Sequence, residues 1–171
     1  MFNFLLNTAF ASAWFVFGFS PKPQCSAVYP QTTPIDLTTW DPEQPYMNVT
    51  FWFKLICWGA FLGYTFAAIG SFGYCFKAGK SLKSMEGYSR MLVYFIFVMC
   101  HVIRFCFAGR VCSGDFIPEG ALVDNSQYLN YTGDWILTYI IIGWTLMPVI
   151  LLLMVCRSGK DVAAFVLQAP K

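Results

Sequence analysis

Long apolar runs separated by short polar stretches dominate this chain. A helix needs about 20 mostly apolar residues to cross a hydrocarbon core of ~30 Å, and four stretches reach or approach that length. Residues 2–19 (FNFLLNTAFASAWFVFGF) make an 18-residue run softened by Asn3 and Asn7. Residues 49–76 form a second run with one charge, Lys54, near its start. Residues 88–111 form a third, carrying Arg90, His101, Arg104 and Arg110. Residues 135–156 form the fourth and contain no charge. Backbone amides in lipid find no water partner, so each run is predicted to be a helix. The pattern thus predicts an all-α integral membrane protein, a single tetraspan domain over residues 1–171. Its four transmembrane helices form an antiparallel bundle with outer loops 20–48 and 112–134. At ~1.5 Å per residue the second run is about 42 Å long, so it must tilt or project into the headgroups.

Charge divides the connections into two sets. Lys77, Lys80 and Lys83 between runs two and three, with Arg90 at the start of run three, join Arg157, Lys160 and Lys171 after run four. These seven cations face only Glu86 and Asp161, a net +5. The other two loops hold Asp36, Asp41, Glu43, Asp115, Glu119, Asp124 and Asp134 against Lys22 and Arg110, a net −5. Lys and Arg stay on the insertion side of a membrane. Both termini are therefore expected in the cytosol, or in the matrix if the membrane is mitochondrial, and the acidic loops across from them. The basic segment 77–90 could attract anionic lipid, but an orientation signal accounts for it equally well.

Composition narrows the function classes. The chain is 57% apolar, 19% aromatic and only 12% charged, with a mean hydropathy of +0.55. A soluble domain carries roughly twice that share of charge, which argues against a water-soluble enzyme or nucleic-acid binder. The net charge of +2 is too small to imply a polyanionic partner. Ala11-Ser12-Ala13 offers the small residues of a signal-peptide cleavage site, but no basic region precedes it. The first run is expected to be retained.

Gly59 and Gly63 stand four apart in the second run, followed by Ala67, Gly70 and Gly73 near the same helical face. Small residues let backbones approach closely in lipid, although glycine is common in membrane helices without that purpose. Ala9 and Ala13, with Ser12 beside them, offer a similar stripe in the first run. The two runs are expected to cross closely. Pro148 predicts a mild kink in the fourth, and the short tail 162–167 is expected at the interface or on a partner.

Ionisable residues within the apolar runs are the first candidates for chemistry. His101, the only histidine, and Arg104 lie one turn apart in the third run. No Asp or Glu occurs inside any run, so a proton relay lacks its carboxylate and a bis-histidine haem lacks its second ligand. A structural or lipid-contact role is the expected one for both, with an ion pair to another subunit, or transport or redox chemistry, as the alternatives. None of the seven cysteines forms a C-x-x-C pair or a recognised zinc spacing. Most are expected to behave as small hydrophobes. Cys25 and Cys112 differ, because both fall in the acidic loops and could bridge them in an oxidising compartment. Two sequons, Asn48-Val-Thr50 and Asn130-Tyr-Thr132, fall on the same side but very near a membrane boundary, and chance is enough to explain them. No phosphate loop, nucleophile elbow or zinc-protease helix is present. No catalysis, cofactor, metal, nucleic acid or small-molecule substrate is expected.

The four-run topology and the stretch Arg110-Val-Cys-Ser-Gly-Asp115 after the third run together resemble the MARVEL-type tetraspan membrane proteins. That resemblance implies an antiparallel four-helix bundle, a bonded Cys112, and a role in membrane organisation, vesicle traffic or junction assembly. Two main readings follow. One is an accessory or scaffold subunit of a larger membrane complex, with a respiratory or other bioenergetic assembly as one host, its partners being membrane lipids and other integral subunits. The other is a MARVEL-like organiser of vesicle or plasma membranes. A channel or transporter subunit is a third class. Its polar pathway would have to run past Asn7, His101 and Arg104.

Overall fold

The computed structural model describes residues 2–20, 22–35, 45–75, 80–117 and 128–167. Side chains at 2, 74–84, 86, 147 and 150–167 fall outside that description, as do several positions in the charge ledger, among them Asp36, Asp41, Glu43, Lys77, Glu119, Asp124 and Lys171. Among the described residues the protein is mostly helical, with α1 Phe2–Phe19, α2 Val49–Cys75, α3 Lys80–Phe105, α4 Phe107–Cys112 and α5 Asn130–Leu167. One antiparallel pair of two-residue strands, β1 Ser26–Ala27 and β2 Met47–Asn48, adds to the expected all-α pattern. Two helical stretches, Val49–Gly73 and Gly87–Phe105, are long and apolar enough to cross a membrane; Asn3–Phe19 is apolar but shorter.

The chain divides into two compact units, Met1–Ile136 and Leu137–Lys171. The second is the bulk of α5. The helix starts five residues before the expected fourth run and continues past Gly159 to Leu167, so segment 162–167 extends α5 and is not a separate element. Pro148 lies inside it.

In the first unit, α1 and α2 run antiparallel. Phe4 packs on Phe72, Phe10 stacks on Tyr64, Phe15 meets Phe61 and Phe19 lies edge-on to Trp58, with ring centroids 4.3–5.5 Å apart. Partner numbers fall along α2 as they rise along α1, which only an antiparallel crossing allows. This interface is an aromatic ladder, closed by Gly18 against Cys57 and by a hydrogen bond from Asn7 Nδ2 to Ser71 Oγ.

The first two runs thus cross closely, as expected, but the glycine pair of α2 turns to α3, not to α1, which corrects the face assigned to it. A Cβ on Gly59 would lie 2.5 Å from Ile96 Cδ1, and one on Gly63 would lie 2.9 Å from Val93 Cγ2. Close approach is therefore used at the α2–α3 crossing, where branched side chains fill the space that glycine leaves. Ala67, Gly70 and Gly73 are buried too.

Outward, α2 presents Phe51, Leu55, Trp58, Leu62, Phe66, Ile69 and Phe72, and α3 presents Met91, Tyr94 with its neighbour Phe95, Val98, Val102 and Phe105. Both sets recur at three- and four-residue intervals and so form continuous apolar stripes. Water-soluble monomers rarely expose contiguous apolar surface on that scale.

The expected third run, 88–111, is interrupted. α3 ends at Phe105, Cys106 adopts an extended conformation (φ −63°, ψ 158°), and α4 begins at Phe107. Cys106 Sγ accepts a hydrogen bond from Gly109 N–H at 3.3 Å and so caps the new helix. The fold-back presses Gly109 onto the carbonyl of Ile103, leaving no room for a Cβ. The break redirects Arg110, Cys112 and Asp115 towards the other helix ends.

Candidate functional site

The polar chemistry of the first unit collects at one end, where the start of α2, the end of α3, α4 and the start of α5 meet. Asn48 caps α2, its Oδ1 accepting the N–H of Phe51 at 3.0 Å. Thr50 follows in the first turn and is buried. Its hydroxyl accepts the N–H of Cys25 at 2.7 Å and donates to the carbonyl of Pro23 at 3.0 Å. The carbonyl of Cys25 accepts from Val49 and Thr50 at 3.1 and 3.3 Å. Two free N–H groups of a helix start thus serve to hold the incoming chain. β1 continues from this clamp and pairs Ser26 with Asn48 and Ala27 with Met47.

Cys25 and Cys112 are joined by a disulfide across 87 residues of sequence, with Cα atoms 5.9 Å apart. Both residues are fully buried. The carbonyl of Cys112 accepts the N–H of Leu129 at 2.7 Å, which brings in the approach to α5. Ser113 packs against Gly133 so tightly that a Cβ there has no space, and Gly114 takes a positive φ of 81° beside the Asn130 side chain. A side chain at Gly114 would be strained by conformation and crowded as well.

Asp115 completes the arrangement. Arg104, only 3% exposed, donates from Nη1 and Nη2 to the two carboxylate oxygens at 2.8 and 2.7 Å, and from Nε to the carbonyl of Gly133 at 3.2 Å. This two-pronged geometry is the strong form of the arginine–carboxylate pair. Arg110 approaches the same carboxylate at 3.5 Å from a more exposed position and lies 4.7 Å from the centroid of the Phe116 ring. Arg104 thus has a structural role, one of those expected of it, but its acidic partner is in the same chain, just beyond α4, rather than a headgroup or another subunit. His101 is not drawn into this pair. Its Nδ1–H donates to the carbonyl of Phe97 at 2.8 Å, and its ring lies edge-on to Phe97.

Lys22 ties the start of α5 to the first outer loop. Its half-buried ammonium donates to Thr132 Oγ1 at 2.7 Å. Burial holds its pKa below the usual 10.5, the neighbouring Lys54 adding to the effect. Both sequons fall inside this network. Thr50 and Thr132, the hydroxyls that modification of Asn48 and Asn130 would need, are buried and hydrogen-bonded.

Sequence reasoning noted Asp115 only as a loop charge and motif residue, Thr50 and Thr132 only as parts of sequons, and Gly109 not at all. Arg104 and Asp115 bear opposite charge eleven residues apart with Gly109 between them, a signal that the continuous apolar run masked. Cys57, Cys100 and Cys106 are free thiols. Among the described residues no three His, Cys, Asp or Glu side chains gather as metal ligands would. Comparison with family models, curated proteins and solved structures gives no match to this chain.

Proposed function

We propose that this protein is a non-catalytic tetraspan membrane protein and that it serves as an accessory or scaffold subunit of a larger membrane complex. The observation that carries this reading is how the polar groups are used. Arg104, Asp115, Lys22, Thr50 and Thr132 are engaged in bonds that hold helix ends together, while α2 and α3 turn long apolar stripes outward. Such a frame offers rigid apolar faces to lipid and to neighbouring helices. The charge asymmetry supports four crossings with both termini on the basic side. The disulfide supports an oxidising compartment on the acidic side, and the two arguments are independent.

Tags inserted at residues 80 and 125 test the topology; protection of one and exposure of the other is the expected result. Native-gel migration after mild detergent extraction, with mass spectrometry of co-migrating chains, tests the role. A fixed high-mass complex of defined partners is expected, and a respiratory or other bioenergetic assembly is one such host. Small mobile species in the same gel would favour a second reading, a MARVEL-like membrane organiser. That alternative draws on Cys112-Ser113-Gly114-Asp115, in which bonded cysteine, positive-φ glycine and paired aspartate each have a structural task.

A further inference from the structure

Two cations are drawn into the polar end of the first unit, and the chain neutralises only one of them. Arg104 meets the carboxylate of Asp115 at 2.7 Å. Lys22 is half-buried, and among the described residues no carboxylate reaches it. One of the three donors of its ammonium goes to Thr132 Oγ1, a neutral acceptor, at 2.7 Å. The neighbouring Lys54, exposed one turn before Cys57 on α2, brings a second positive charge and no negative one. The surrounding contacts fix the place. At the end of α1, Gly18 lies against Cys57 of α2, and Phe17 stacks on Trp135 of α5 at 4.8 Å. The chain beyond α1 is then held from both sides, Lys22 by Thr132 and the Pro23 carbonyl by the hydroxyl of Thr50. One turn after Thr132, the indole nitrogen of Trp135 is buried without a hydrogen-bond partner.

We propose that Lys22 and Lys54 together bind the phosphate of an anionic phospholipid headgroup where α1, α2 and α5 come together. The inference rests on the membrane reading above, which puts both lysines at the headgroup level on the acidic side. A partly buried cation beside a like charge is costly unless an anion offsets it. Phosphate suits the pair, because its several oxygens can accept from two ammonium groups at once and lysine binds it as a point charge. Tryptophan collects at the level of lipid headgroups, and Trp58 and Trp135 flank the end of α1 through Phe19 and Phe17. Two uncompensated positive charges favour a headgroup with net negative charge over a zwitterionic one, which carries its own cation.

The test uses the full chain reconstituted in equimolar phosphatidylglycerol and phosphatidylcholine, extracted into detergent and weighed intact by native mass spectrometry. Wild type is expected to retain one phosphatidylglycerol per chain in preference to phosphatidylcholine. Lys22→Gln is expected to lower the retained fraction at least about tenfold, through loss of a hydrogen bond between charged groups. Lys54→Gln, at an exposed position, is expected to lower it as well. Arg110→Gln, which removes a different cation at the same end of the molecule, is expected to leave it unchanged. An intact Cys25–Cys112 bond in a non-reducing peptide map shows that each variant has folded. Equal retention of the two lipids, an unchanged fraction in either lysine variant, or an equal loss in Arg110→Gln would each overturn the proposal. So would displacement of the lipid by inorganic phosphate at matched concentration, which would mark a site for a free anion. Failure of the membrane reading itself is separately visible, as release of the chain from membranes by alkaline carbonate.

Discussion

Arg104 and Asp115, eleven residues apart in sequence, meet through two parallel hydrogen bonds of 2.8 and 2.7 Å across the helix break at Cys106. The pair fixes where the chain goes after α3. A buried guanidinium is costly alone and tolerable when a carboxylate and a carbonyl satisfy it.

Removing the carboxylate leaves the Arg104 charge buried and uncompensated. Asp115→Ala is expected to destabilise the protein by about 3–5 kcal/mol. Arg110→Ala, which removes an exposed and longer contact, should cost less than about 1 kcal/mol. Thermal unfolding of both variants in detergent measures the difference; equal effects would mean that Arg104 is held by something else.

The disulfide ties the clamp at the start of α2 to the end of α4. Cys112→Ser is expected to lower stability by about 2–5 kcal/mol, and reductant should lower wild type by a similar amount while leaving the variant unchanged. Cys106→Ser replaces the capping sulfur of α4 with a hydroxyl oxygen and should stay close to wild type under both conditions.

The glycine pair of α2 makes a claim about partners. Gly59→Ile is expected to cost about 1–3 kcal/mol by overpacking against Ile96. Combined with Ile96→Ala, it should show a coupling of about 0.5–3 kcal/mol in a double-mutant cycle. Combined with Phe4→Ala, on the α1 side, it should be additive. Coupling to Phe4 in place of Ile96 would reverse the assignment of the face.

Lys22 supplies a pH signature. Its folded pKa lies below the ordinary 10.5 because burial penalises the ammonium. Between the lowered value and 10.5 the unfolded chain binds more protons than the folded one, so stability rises with pH across that window and is level below it. Lys22→Met should remove the rise. An unchanged alkaline profile in Lys22→Met would assign it to another group.

The apolar runs alone carried much of the helical architecture. α1 matches its run end to end, and α2 starts with its run, because hydrophobicity over about 20 residues is a local property. The cysteine pair at 25 and 112 was legible as a candidate through loop charge. The helix break at Cys106 was not legible, because apolar residues continue on both sides of it. Only the fold-back of Gly109 onto Ile103 distinguishes two helices from one.

Sequence by itself determined which segments are apolar enough for lipid and which flanks carry which charge, since both are sums over neighbouring residues. Tertiary structure decided that Gly59 and Gly63 face Ile96 and Val93, that Asp115 neutralises Arg104, and that Thr50 and Thr132 clamp two loops. Those outcomes depend on distances between residues far apart in the chain, down to a few tenths of an ångström. No pattern along one strand of sequence contains them.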